Sequence, residues 1–152
     1  MIETATLRPT FAPLPEEECR SFLARHHVGR VAYATSDGVD IQPVNYVFDN
    51  GWLWGRTQLG TKLATLAHRP TCAFEVDEVR GMFDWESVVA KGHFDILDPE
   101  TGSPDRYDRA LDLLRQLMPG ALTAHDPAPS RLVLFGIFVG EVTGRSARPT
   151  AG

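Results

Sequence analysis

The chain has 152 residues, 43% hydrophobic and 23% charged, a size and balance that fit one globular domain with a sizeable core. Its net charge of −5 argues against a general nucleic-acid binder or a binder of anionic membranes. Its two cysteines, Cys19 and Cys72, stand far apart and outside any CxxC, which argues against a disulfide framework and fits a reducing compartment.

Residues 1–12 lack any periodicity and read as a loose arm ahead of a domain spanning 13–146. Pro15, followed by Glu16, Glu17 and Glu18, opens a helix, the proline suiting a first turn and the acids its dipole. Cys19, Phe22 and Leu23 form the apolar stripe of that helix, and Gly29 follows its end. From Gly29 the hydrophobic period changes to two. Residues 30–35 read as a strand, Ser36-Asp37-Gly38 as a turn and 41–48 as a second strand. Pro43 lacks an N–H and so marks an edge or an irregularity in that strand. Asp49-Asn50-Gly51 is a hairpin signal, with the returning strand at 52–57.

A short helix at 61–68 is closed by Arg69-Pro70, and 71–78 alternates as a fourth strand. Residues 85–97 supply a fifth strand with a bend at Gly92. Residues 105–118 carry Tyr107, Ala110, Leu111, Leu114, Leu117 and Met118 on one helical face and stop at Pro119-Gly120. A long loop at 119–130, of a kind that is often functional or mobile, precedes a sixth strand at 131–142. Residues from Ser146 onward are small and polar, and 147–152 read as a mobile tail. Six strands and three helices predict a mainly β, α+β fold: a small barrel with helices at its ends or side. No apolar run reaches membrane-spanning length and no charged-then-apolar export signal is present, so the expected location is the cytoplasm.

The densest chemistry lies between the third strand and the short helix, in Arg56-Thr57-Gln58-Leu59-Gly60-Thr61-Lys62. A helix start has unpaired N–H groups and a partial positive charge, which suits phosphate. Arg56 and Lys62 add full charges, and Thr57 and Thr61 add hydroxyl donors. The same pattern also describes an ordinary capped surface helix, and the glycine and Gly-Lys-Thr order of a Walker loop are missing. There is no Gly-x-Ser-x-Gly elbow, and His26, His27, His68, His93 and His125 show no zinc-ligand spacing. The adjacent His26 and His27 follow a helix and suit its terminal carbonyls better than a metal. Trp52 and Trp54 share one strand face, a placement equally suited to stacking on a flat ligand and to core packing. Trp85 could wall a pocket and Ser87 could donate to a phosphate, although an exposed strand hydroxyl is the simpler reading of Ser87.

Five segments in order carry a resemblance. They are Val28-Gly29-Arg30-Val31-Ala32, Pro43-Val44-Asn45-Tyr46, Arg56-Thr57-x-x-Gly60-Thr61-Lys62-Leu63, Phe74-Glu75-Val76-Asp77 and Trp85-x-Ser87-Val88-Val89-x-x-Gly92. Together they resemble the short bacterial branch of the pyridoxamine 5′-phosphate oxidase-like family of FMN-binding split barrels. The resemblance implies a six-stranded split β-barrel that forms a homodimer, with FMN in clefts between the subunits. By position, Pro43, Val44, Asn45 and Tyr46 would pass along the isoalloxazine, partly through backbone groups. Arg56, Thr57, Thr61 and Lys62 would hold the phosphate, through charge-assisted hydrogen bonds of about 1.5–3 kcal/mol each. Trp85 and Ser87 would complete the cofactor site, from the same or the other subunit. The flavin would perform the redox step on a small organic substrate, so no catalytic side chain is expected.

Departures narrow this picture. Authentic pyridoxamine phosphate oxidases carry a C-terminal stretch with arginine and tryptophan, which 143–149 lacks, and that argues against vitamin B6 synthesis. The nitroimidazole-resistance branch has a histidine where this chain has Gly55. Other relatives bind the deazaflavin F420 or haem, and the arginine-rich, lysine-poor composition keeps F420 in view. The alternatives to a reductase are a non-catalytic carrier or redox sensor on the same scaffold, and a barrel with an empty cleft.

Overall fold

The structure, a computed structural model, describes residues 8–150. In chain order the elements are β1 (Pro9–Leu14), α1 (Glu16–Arg25), β2 (Val28–Thr35), β3 (Gly38–Asp49) and β4 (Trp52–Thr57). They continue with α2 (Thr61–His68), β5 (Thr71–Gly81), β6 (Asp84–Leu97), α3 (Pro104–Leu117) and β7 (Val133–Pro149). All strand pairs are antiparallel. The order β1-β7-β4-β3-β2-β5-β6 closes through a β7–β6 pairing, so β2 to β7 form a six-stranded barrel and β1 is added outside it. No helix among the described residues is long and apolar enough to cross a membrane.

Local signals set most of these boundaries. Asn50 and Gly51 take positive φ of 52° and 81°, the left-handed pair that a tight hairpin between β3 and β4 requires. Ser103 caps α3 by accepting from the Arg106 N–H at 3.4 Å, and Pro104 starts the first turn. In α1 the cap position falls to Pro15, which offers no side-chain bond, while the three glutamates occupy the first turn as expected. The bend expected at Gly92 is a register shift against β7. A Cβ there would lie 2.2 Å from the Phe138 carbonyl oxygen, so only glycine lets the two strands meet.

The barrel interior holds Val31, Tyr46, Leu53, Phe74, Val88 and Ile137. Cys19, Phe22 and Leu23 of α1 and Leu63 and Leu66 of α2 pack into the same core. Burial of side chains such as Phe22 and Leu23 contributes about 1.5–3 kcal/mol each. A second apolar cluster lies beneath α3, where Ala110, Leu113 and Leu114 meet Trp54, Leu97 and Leu134. Leu113 thus takes the buried place expected of Leu117, which is left on the surface.

Both ends of the chain differ from the sequence expectation. Of the expected arm 1–12, residues 1–7 lie outside the described residues, and residues 9–12 belong to β1. β1 runs antiparallel to the C-terminal half of β7, from Pro9 opposite Pro149 to Leu14 opposite Gly144. The expected mobile tail is, as far as Pro149, the continuation of β7, with Ser146 buried and Ala147 wholly so. The barrel is therefore as expected, but a seventh strand covers the flank of its longest one. Neither segment has local strand periodicity; β1 becomes a strand because β7 satisfies its backbone, and the end of β7 because it lies between β1 and β6.

Candidate functional site

The site arises where β3 and β4 part. Their ladder runs from Asp49 opposite Trp52 to Tyr46 opposite Gly55 and stops there. Beyond it, Arg56 and Thr57 pair only with β7, opposite Leu134 and Val133. Pro43 pairs with Arg30 of β2 but has no N–H with which to extend a ladder toward β4. The opened seam, the 58–60 connection, the start of α2 and the end of the long loop enclose a cavity of about 510 Å³. Pro43, Val44, Thr57, Thr61, Lys62 and Arg131 all line it. Its volume lies within the usual range for small-molecule sites.

One end of the cavity is electropositive. Gly60 caps α2 without a side-chain bond, and the first turn contains no acid. Ala64 N donates to Gly60 O at 3.1 Å, which leaves the N–H groups of Thr61, Lys62 and Leu63 without acceptors inside the helix. Lys62 is half-buried, and burial lowers its pKa, with the Arg131 charge pushing the same way and Asp40 opposing. Neither Lys62 nor Arg131 belongs to a salt bridge among the described residues. Thr57 is only 4% exposed, yet it reaches the cavity and enters no side-chain hydrogen bond among the described residues. Two cations, a free helix start and a hydroxyl without a partner among the described residues, all bordering one cavity, form a donor set matched to a phosphate.

Arg56 does not fit the role that the sequence suggests. Its guanidinium forms a fork with Asp126, Nη1 to Oδ2 at 2.7 Å and Nη2 to Oδ1 at 2.6 Å. Nη2 also donates to the Ala128 carbonyl at 2.8 Å. The two charged side chains are 5% and 3% exposed. Leu122 N and Ala128 N donate to the same carboxylate, which Arg56 above all holds well below the usual carboxylate range. Arg56 therefore borders the cavity with its terminal donors turned into the loop. That loop, which a sequence reading leaves as functional or mobile, is tied to β4 by this pair.

The remaining expected site residues divide. Asn45 is half-buried beside the seam, accepting from Arg131 Nη1 at 3.4 Å. Tyr46 does not face the cavity: it is fully buried, with its hydroxyl donating to Leu23 O at 2.7 Å. Its backbone is also engaged, N donating to His27 O at 3.0 Å and O accepting from His27 Nδ1 at 3.1 Å. The strand alternation that leaves Asn45 half-buried sends the next side chain inward. Trp85 and Ser87 of β6 do not line this cavity either. Trp85 lies beside Phe11 of β1, with ring centroids 6.4 Å apart, and Ser87 Oγ donates to Glu75 Oε2 at 2.9 Å. The Glu75 carboxyl is raised by burial and by the neighbouring Asp77.

The other candidates fall elsewhere. Trp52 and Trp54 stack 5.1 Å apart within the cluster under α3, with Arg106 set 4.8 Å over the Trp52 ring. His26 Nδ1 donates to Phe22 O at 2.8 Å, the helix-end contact its position suggests. Arg131 and Asp126 escaped the sequence reading: the first reads as the opening of a strand, the second as a loop acid. No local pattern distinguishes either, because each acquires its partner from a distant element.

The family model described as Pyridoxamine 5′-phosphate oxidase matches residues 15–146. Among solved structures, the chain is similar to a FAD-binding protein from Mesorhizobium loti, with 25% identity and a TM-score of 0.73. That alignment covers 91% of this chain and 98% of the other. A FAD-binding protein from Mycobacterium smegmatis is 22% identical, with a TM-score of 0.64 over 90% of this chain and 98% of its own. A haem-binding protein from the same organism is 17% identical, with a TM-score of 0.69 over 88% of this chain and 57% of its own. At those two identities the likeness is one of fold. No curated protein matches the sequence. Since the family match runs from the start of α1 into the second half of β7 and takes in every wall of the cavity, the chain belongs to the pyridoxamine 5′-phosphate oxidase-like family.

Proposed function

We propose that this protein binds FMN and acts, as a cytoplasmic homodimer, as an oxidoreductase on a small organic substrate. The observation that carries the cofactor assignment is the pairing of Lys62 with the unoccupied N–H groups of α2 on the wall of a cavity bordered by Pro43 and Val44. Lys62, Thr57 and Thr61 would hold the phosphate, and Pro43, Val44 and Asn45 would run beside the ring system. Bound flavin would supply the hydride or electron transfer; the chain's own residues would bind, orient and shield it. FAD is named for the relatives from M. loti and M. smegmatis, and flavin binding is the reading those names support here.

Haem is the weaker alternative. Among the described residues, the cavity lining contains no histidine, cysteine, methionine or tyrosine to serve as an axial ligand. F420 also carries a phosphate ester and would meet the same cation, so cofactor extraction has to separate it from FMN.

A homodimer is supported by the exposed apolar residues Val28, Val39 and Ile41 on β2 and β3, the second of which lines the cavity through Gln42, Pro43 and Val44. Trp85 and Ser87, remote from the cavity of their own chain, would then complete the cavity of the second copy.

Purified protein should be yellow, absorb near ~450 nm and release FMN on denaturation, identified by mass spectrometry. Colourless protein that takes up no added FMN would overturn the assignment. Lys62→Ala should weaken FMN binding roughly tenfold or more and leave riboflavin unchanged, since only FMN carries phosphate. Oxidation of NAD(P)H no faster than by free flavin would identify a carrier or sensor instead of a reductase.

A further inference from the structure

We infer that Arg131, brought to the cavity by the 118–132 loop, is the second phosphate-binding cation of this site, and that Arg56 is a positioning residue acting through Asp126; this rests on the FMN reading above. The two arginines differ in what their charges already do. Arg56 and Asp126 neutralise each other in a bidentate pair shielded from water, with the Ala128 carbonyl accepting a third bond. A phosphate could take Arg56 only by leaving the Asp126 carboxylate buried without a cation, an exchange that costs more than it returns. Arg131 is exposed, its one side-chain hydrogen bond among the described residues is the 3.4 Å bond to Asn45, and it lines the same cavity as Lys62, near enough for the two charges to repel. Two like charges turned toward one space favour an anion between them. Thr57 is 4% exposed, and its hydroxyl, which enters no side-chain hydrogen bond among the described residues, opens onto that cavity; this is a separate observation pointing to an oxygen-rich ligand there.

The Ala128 carbonyl joins the two arginines. It accepts from Arg56 Nη2 at 2.8 Å and from the backbone N–H of Arg131 at 3.0 Å. Asp126 meanwhile accepts from Leu122 N and Ala128 N, fixing the turn just before Arg131. Arg56 thus orders the loop segment that carries Arg131, and acts on the ligand only through it.

The test is the ratio of FMN to riboflavin affinity, measured by quenching of flavin fluorescence on the full chain. Arg131→Gln, a surface change that leaves the fold intact, should lower that ratio roughly tenfold or more while riboflavin still binds. Arg131→Lys should restore part of it. Asp126→Ala should lower the ratio as well, and adding Arg131→Gln to it should then cost little more, because both changes remove the same contact. An unchanged ratio in Arg131→Gln overturns the proposal. So does a rise in FMN affinity in Asp126→Ala, since a released Arg56 would then be the ligand. If the unmodified protein binds neither flavin, the FMN reading alone fails. Phosphorus NMR with inorganic phosphate still decides Arg131: line broadening lost in Arg131→Gln supports it, and broadening retained there overturns it.

Discussion

At the scale of single residues, two buried polar groups carry opposite kinds of duty. The Tyr46 hydroxyl is sealed in the core against Leu23 O, and burial pushes its pKa far up. Tyr46→Phe should therefore cost about 1–3 kcal/mol in urea denaturation, because the Leu23 carbonyl loses its donor. FMN affinity should not change, since the side chain does not face the cavity. Asp126 is the reverse case, a carboxylate kept ionised chiefly by its hydrogen bonds from Arg56. Its folded pKa is depressed, so its stabilising effect is complete above the ordinary carboxylate value of about 4 and is lost as the pH falls further. Denaturation midpoints measured in an acid series should drop below about pH 4, and Asp126→Asn should flatten that part of the profile.

At the scale of elements, the strands that lack a sequence signal are the ones whose role is most easily tested. Ala147 has no exposed surface, in a segment that composition alone assigns to a tail. Ala147→Asp should destabilise the protein by roughly 3 kcal/mol or more, because it places an unpaired charge between β1 and β6. A free tail would tolerate the change, and amide exchange should find 144–149 protected. β4 offers a second test. A Cβ on Gly55 would lie 2.5 Å from the Phe135 ring, so Gly55→Ala should cost about 1–3 kcal/mol in overpacking. The space that any side chain at Gly55 would need is taken by Phe135.

At the scale of the whole molecule, β3 leaves two apolar side chains of one strand face without cover. Ile41 is 58% exposed and Val39 78%, next to the seam that holds the cavity. Ile41→Glu should yield monomers in sedimentation if this face joins two copies. FMN should be lost with the dimer if Trp85 and Ser87 complete the cavity across the interface. Tight FMN binding by a monomeric Ile41→Glu variant would show that one chain makes the whole site.

Legibility in the sequence followed the range of the interactions. The β3–β4 hairpin was readable because Asn50-Gly51 carries its turn geometry within two residues, and α2 was found at its true limits between Gly60 and Arg69. That Thr57, Thr61 and Lys62 stand together, as they do on the cavity, is legible for the same reason: their grouping is a property of seven consecutive residues. Pro43 announces an irregularity in β3, although only the fold reveals that β3 and β4 have already parted at Tyr46, three residues away. Tyr46, Trp85 and Ser87 were located on the right strands, but strand membership does not say which cavity, or which copy, a side chain faces.

What the sequence determined by itself was whatever neighbouring residues decide together: turns, helix limits, the apolar faces and the phosphate-like cluster at a helix start. Only the tertiary structure decided that β1 and the end of β7 pair, that Arg56 belongs to Asp126 across a separation of 70 residues, and that Arg131 lines the same cavity as Lys62. A charged side chain is claimed by the nearest opposite charge in space, and sequence order does not carry that distance until the barrel has closed.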